Sequence, residues 1–353
     1  MTLRQGLTRS PAGGEAAAPR WRRALRLAVL AVIVVVVAAV IAGQWRSVRP
    51  LLGRLDPATV GGAAAAVFGG IYATFLSWRA VLADLGAPLP VAGGMRVFFL
   101  GQLGKYLPGS LWPAMTQMEL GRDYKVPQRA SGAAVVVFML MVVGTGLLVA
   151  VPLVLLTGGD AARRYGWIAA VLPLALVAAV PPVLNRLLGL ALRLARRPAL
   201  PAPLSLGGVL RAAGWSLAAW FAYGVHAWVL ARRLGAAGEP LLLLRVTGAF
   251  AAAWCAGFLL VVAPAGAGVR EAALVLLLGP VMTTAQATVL AVVSRLLFVV
   301  GDAGWGAVAA LVARRPRAPA SGPQGRPDGG PGERGGDLAD LGDPGDEAHE
   351  PGR

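Results

Sequence analysis

Apolar residues fill this chain in long runs rather than in alternation, and polar residues gather in the gaps between them. Leu27 to Ala42 carries no charge, and Val135 to Thr157 is a longer run of the same kind. A helix needs about 20 such residues to cross the hydrocarbon of a bilayer. Spans are predicted at about 24–43, 58–82, 130–157, 166–190, 210–230, 242–262 and 285–312, with a short apolar helix at 271–278. The pattern predicts an all-α integral membrane protein with about eight transmembrane helices plus a re-entrant or broken helical segment.

The gaps are as informative as the runs. Arg46 to Pro57, Glu119 to Arg129 and Arg186 to Arg197 read as polar links, the first with a turn at Asp56-Pro57. Met95 to Pro113 starts apolar but is interrupted by Gly101, Gly104, Pro108, Gly109 and Pro113, with Lys105 in the middle. Irregular backbone at membrane depth survives only where protein or a water-filled cavity satisfies its polar groups, so a broken or re-entrant helix is expected there. Pro264 to Gly268 breaks the second half in the same way. Paired Gly/Pro-interrupted segments, one in each half, are the pattern that points to a binding site in transporters.

Composition adds direction. Hydrophobic residues make up 57% of the 353 and charged ones 14%, too little polar surface for a soluble protein. The formal net charge of +16 sits in the links, where it acts as a topology signal and gives no nucleic-acid-binding face. Residues 1–23 read as a disordered basic cytosolic arm, residues 24–313 as the membrane domain, and residues 314–353 as a disordered Gly/Pro/acidic tail. Both termini are placed in the cytosol, and a bacterial plasma membrane is the expected location. One cysteine, Cys255, and two histidines exclude a multi-cysteine or histidine-rich metal site. With no Walker loop and no dinucleotide fingerprint, no cofactor is expected.

An ionisable side chain at the bilayer centre costs roughly 2.5–3.5 kcal/mol, so each one asks for a partner or a function. Gln102, Lys105, Tyr106, Ser110 and Trp112 cluster on the first broken segment, where freed peptide N–H groups beside Lys105 would suit a phosphate. The alternative is an interfacial turn with Lys105 snorkelling to water. Arg270 and Glu271 open a helix after Gly268, and Glu271 there also complements the helix dipole. Arg295 precedes Asp302 by seven residues, so the two share a face and pair through a polar neighbour or serve packing. His226, with Tyr223 and Trp228, reads as a hydrogen-bonding residue near a helix end.

Phe98 to Arg122, with its Gly-Gln-Leu-Gly-Lys-Tyr-Leu-Pro-Gly-Ser core, resembles the first signature of the lysylphosphatidylglycerol synthase transmembrane family, or flippase-like domain. Pro264 to Glu271 resembles the second, and the family's last helix bears an arginine and a later aspartate, matched by Arg295 and Asp302. The soluble aminoacyltransferase domain found in some relatives has no counterpart here. The resemblance implies a lipid headgroup as substrate and nominates Lys105, Pro108, Gly109, Gly268, Arg270, Glu271 and Arg295. Lys105, Arg270 and Arg295 would attract phosphate, while Glu119, Glu271 and Asp302 would balance them or receive an amino group. The expected partners are membrane lipids, whether anionic, aminoacylated or polyprenyl-linked, and envelope biosynthesis enzymes, with no nucleic acid. The expected activity is translocation rather than catalysis. The alternatives are a membrane transferase using Glu271 or Asp56 as base and a non-transporting envelope-assembly scaffold.

Overall fold

The computed structural model describes residues 45–106, 112–157, 170, 180–194, 196, 198–200, 202–236, 238–259 and 268–313. The expected span at 24–43, Pro108, Gly109, most of 166–180 and most of Pro264 to Gly268 lie outside them. Among the described residues there are ten α-helices and no strands, so the protein is an all-α membrane protein. Four of the helices, at Pro57–Asp84, Gln128–Leu156, Leu242–Leu259 and Thr284–Val312, are long and apolar enough to cross a membrane.

Two antiparallel helices form the spine. α1 (Trp45–Leu52) leads into α2 (Pro57–Asp84), whose N-cap Asp56 accepts from the Thr59 N–H at 2.8 Å. Asp56 also pairs with Arg233 at 2.8 Å, just past the C-terminus of α7 (Leu206–Ala231). At the far end Asp84 accepts from the Ser205 N–H and hydroxyl, both at 2.7 Å, and Ser205 is the N-cap of α7. The start of each helix is thus tied to the finish of the other, which defines an Asp56 end and an Asp84 end. Between them α2 and α7 pack closely: the Tyr223 ring lies over Gly70, where a side chain would collide with it, and Tyr223 Oη lies 2.9 Å from Thr74 Oγ1.

From the Asp84 end the chain turns into α3 (Val91–Leu103), then one 3₁₀ turn at Gly104–Tyr106. α4 (Trp112–Arg122) brings it back. Arg96, near the start of α3, pairs with Asp123 just past α4 at 3.4 Å, and Gly93 faces the Tyr124 ring. The two short helices therefore enter and leave at the same end, as a re-entrant hairpin. α5 (Gln128–Thr157) then crosses to the Asp56 end, held to α7 by a Thr145–Ser216 hydrogen bond of 2.7 Å.

α6 (Pro181–Leu194) lies beside the Asp84 end, where Asn185 exchanges two 2.9 Å hydrogen bonds with the Leu204 backbone. α7 crosses back and ends in a wide turn at Arg232–Ala236, with Gly235 at φ 119°. α8 (Leu242–Leu259) enters from the Asp56 end and packs on α9 (Val269–Leu278). α10 (Thr284–Ala313) starts at that end too, since Gln286 Nε2 donates to the Leu234 carbonyl at 2.7 Å. α8 and α9 form a second hairpin that enters and leaves at the Asp56 end.

Three expected links are partly helical. Arg46 to Pro57 contains α1, whose Val48 and Leu51 lie one turn apart and are buried while Arg46 and Arg49 are exposed. Arg186 to Arg197 belongs to α6 as far as Leu194, with Leu184 and Leu188 buried on one stripe. In both, an amphipathic period too short to span a bilayer was hidden by its arginines. Glu119 to Arg122 is the last turn of α4, so the polar turn narrows to residues 123–127.

Candidate functional site

The central helix of the site is α10. Arg295 comes 11 residues after Thr284, and Asp302 comes 11 residues before Ala313. At ~1.5 Å per residue they stand about 10 Å apart on one face. Each is met by one hairpin: Lys105 Nζ lies 2.6 Å from Asp302 Oδ2, and Arg295 Nη1 lies 3.9 Å from Glu271 Oε1. Of the two readings offered by the sequence, pairing through a polar neighbour or neutralising other helices, these ion pairs fit the second. Side chains seven residues apart point the same way without touching, and the gap is where the hairpins fit.

Local structure explains why these groups are presented. α3 ends at Gly104 and gives way to the 3₁₀ turn, which aims Lys105 at α10. Asp302 is buried at 6% exposure, while Lys105 is half-buried. In the second hairpin Gly268 adopts φ 85°, a conformation that L side chains rarely take, and α9 starts there. The Gly268 N–H donates to Glu271 Oε2 at 2.7 Å, which is half of a capping box, since glycine has no side chain to reciprocate. One carboxylate oxygen thus caps the helix and the other faces Arg295.

Between the two ion pairs sits Arg270. It is 9% exposed, and its guanidinium carbon lies 4.6 Å from the centre of the Phe250 ring and 4.9 Å from that of Phe298. Tyr223 packs on Phe298 at 4.9 Å, and His226 on Phe250 at 4.8 Å. Among the described residues no carboxylate comes within ion-pair distance of Arg270, although Arg295, Glu271, Tyr223 and Asp302 act on its charge from further away. Aromatic faces stabilise a desolvated cation by roughly 2 kcal/mol without neutralising it. Among the described residues the arrangement holds a cation with no ion-pair partner at the middle of the bundle.

The remaining nominated residues separate. Tyr106 and Trp112 flank the break in the first hairpin by their backbone positions, and Gln102 is half-buried on α3. Glu119 is mostly exposed and pairs with Arg122 at 3.0 Å within its own helix, so it does not join the cluster. Asp56 is a helix cap. Cys255 is buried, with its thiol 3.9 Å from the Val143 carbonyl.

Sequence reasoning missed several residues at the site. Phe250 and Phe298 carry no charge and read as ordinary core, although Phe298 falls at i+3 from Arg295, a spacing that could have marked it. His226, read from the sequence as a hydrogen-bonding residue near a helix end, is fully buried and lies 2.9 Å from Ser294 Oγ. Gln117, at 2% exposure, packs against Gly101 inside the first hairpin, its side-chain oxygen without a partner among the described residues. Trp305 stacks between Tyr72 and Phe99, centroids 5.1 Å away on both sides, and donates to the Phe68 carbonyl at 3.0 Å.

The model of the family described as the lysylphosphatidylglycerol synthase TM region covers residues 24–306. No curated protein and no solved structure matches the chain.

Proposed function

Since this chain belongs to the lysylphosphatidylglycerol synthase TM family, we propose that it is a flippase-like translocator of a phospholipid or lipid-linked saccharide headgroup. The observation that carries the reading is the arrangement of charge. Two hairpins from opposite ends place Lys105 and Glu271 against one helix, with Arg270 between them. Moving a polar head through hydrocarbon requires such groups at depth, and ion pairs that exchange their partners for the headgroup supply them without leaving bare charges in the empty state. Tyr106, Pro108, Gly109, Trp112, Gly268 and Gln102 would shape the path at the breaks. A soluble donor domain plays no part in this reading.

The transferase reading needs Glu271 or Asp56 as a base. Both carboxylates are already engaged at the start of a helix, each accepting a backbone N–H. The arginines of residues 122–129, 186–211 and 314–317 would place the Asp84 end in the cytosol of a bacterial plasma membrane.

Reconstitution tests the proposal. Vesicles carrying the protein and fluorescent anionic, neutral or aminoacylated lipids should expose the inner-leaflet label faster than empty vesicles do, and Arg270→Gln should slow this at least tenfold. Equal rates with and without the protein for every lipid class would overturn it.

A further inference from the structure

The order of elements in residues 57–157 recurs in residues 206–313 with every direction reversed. In the first stretch α2 crosses from the Asp56 end to the Asp84 end, a hairpin enters from the Asp84 end, and α5 crosses back. In the second, α7 crosses the other way, a hairpin enters from the Asp56 end, and α10 returns. The packing partners map under the same exchange. α3 packs on α10 and α8 on α5; α2 packs on α10 and α7 on α5; each hairpin's second helix packs on the crossing helix that follows it. α2 and α7, which exchange with each other, form the most extensive contact. Even the short amphipathic helices correspond, α1 preceding α2 and α6 preceding α7.

Charge is not repeated with the backbone. Asp302 is the nineteenth residue of α10, and the nineteenth of α5 is Gly146, which faces Cys255 and Trp220 rather than an ion pair. Both ion pairs lie on α10, one on either side of Phe298, which is 14 residues from one end of that helix and 15 from the other. Arg270 is stacked on Phe298, so this cation stands at the centre, with one hairpin contact above it and one below. Among the described residues three cations, Lys105, Arg270 and Arg295, face two carboxylates, Glu271 and Asp302, a net +1. One phosphodiester would balance it.

We infer that the chain is built from two inverted structural repeats, and that Arg270 is the seat of a phosphodiester-type anion opened to the two faces of the membrane in turn. The Lys105–Asp302 pair closes the route from the Asp84 end, and the Glu271–Arg295 pair closes the route from the Asp56 end. Inverted repeats give this behaviour physically, because the two halves adopt each other's conformations and the same site changes the side it faces. The lipid character of the anion rests on the translocator reading, while the alternation does not.

The test uses the full chain with Cys255→Ala and the near-isosteric Ser294→Cys as reporter, since Ser294 is buried beside His226 at the level of the seat. The protein is inserted in one orientation into phosphatidylcholine vesicles, and a charged, impermeant thiol reagent is added to one side at a time. Lys105→Ala should raise labelling at least tenfold from the Asp84 side only, and Glu271→Ala from the Asp56 side only. The reversed pair Lys105→Asp with Asp302→Lys should return labelling to the starting rate, which separates an opened gate from a misfolded chain. Labelling that rises from the same side in both variants, or in neither, would overturn the alternation.

Protection supplies the second arm. Phosphatidylglycerol in the vesicle should slow labelling at least threefold, and Arg270→Gln should remove that protection. Protection by inorganic phosphate alone would support the anion seat and assign it to a soluble ligand; protection by neither would overturn the seat. One-sided labelling without lipid movement would sink the translocator and leave the alternation standing, whereas lipid movement with unsided labelling would do the reverse.

Discussion

The first hairpin brings a cation, Lys105, to a carboxylate on α10, whereas the second brings a carboxylate, Glu271, to a cation on the same helix. The first contact is short, 2.6 Å, and its acid is buried. The second is long, 3.9 Å, and its acid is shared with a helix cap. The first also reaches across from one repeat to the other, while the second stays within its own. A tight contact between halves resists opening, and a loose contact within a half yields first. The difference implies that the Asp56 side opens more readily than the Asp84 side.

Removing Asp302 should separate the hairpins most. Breaking a buried ion pair by deleting one partner costs about 3–5 kcal/mol, and half-burial of Lys105, which lets water reach its ammonium, puts Asp302→Ala near the lower figure. Denaturant titration in detergent micelles measures it. Lys105→Met with Asp302→Leu should recover more than half of the loss, since the cost lies in the stranded charge. A loss below about 0.5 kcal/mol in Asp302→Ala would erase the contrast between the hairpins.

The backbone offers the next contrast. The first hairpin turns away from α3 through Gly104 in ordinary helical geometry, whereas the second starts α9 from Gly268 at φ 85°. Among the described residues nothing lies within 4 Å of a methyl group added at Gly268, so Gly268→Ala tests conformation. It should cost about 2 kcal/mol. Gly62→Ala, in α2 with equally open surroundings, is the control and should be neutral or stabilise by up to about 1 kcal/mol. Equal shifts in unfolding midpoint for the two variants would remove the strain assigned to Gly268.

Much of this was legible in the sequence because it depends on local rules. The apolar runs of α2, α5, α7 and α10 gave their positions to within a few residues, and Lys105 and Arg270 stood out because charge is costly in lipid. What the chain concealed is nonlocal. Arg295 and Asp302 were correctly placed on one face, but their true partners lie in segments about 25 and 200 residues away, which no periodicity reveals. Phe250 and Phe298 become site residues only when α8 and α10 meet. The inverted repeat showed in the sequence only as the paired Gly/Pro breaks, because the two halves share direction and packing without sharing residues; Gly146 and Asp302 hold equivalent places with unrelated side chains.

A smaller effect probes the loose contact. Glu271→Gln keeps an oxygen for the Gly268 N–H and loses the attraction to Arg295 across 3.9 Å. The expected cost is about 1 kcal/mol, mostly from weakening a charged cap into a neutral one. It should show as a lower unfolding midpoint at low salt that converges toward the parent at high salt. A cost as large as that of Asp302→Ala would mean the second hairpin is held as tightly as the first, and the predicted order of opening would fail.

The smallest effect concerns the ends of the spine, where the repeats again match in place and differ in chemistry. α2 is capped by Asp56 and α7 by Ser205. The Thr59 backbone N–H, helped by the Thr59 hydroxyl and by Arg233, holds the Asp56 carboxyl below its ordinary value. A depressed acid contributes stability that is present above its unfolded value of about 3.9 and lost as pH falls through the lower folded value. A serine cap has nothing to titrate. Asp56→Ser should therefore flatten the acid limb of an unfolding-temperature profile below about pH 4, while above pH 6 it loses only the contact with Arg233. If the slope is unchanged in Asp56→Ser, acid sensitivity must come from carboxylates other than this cap.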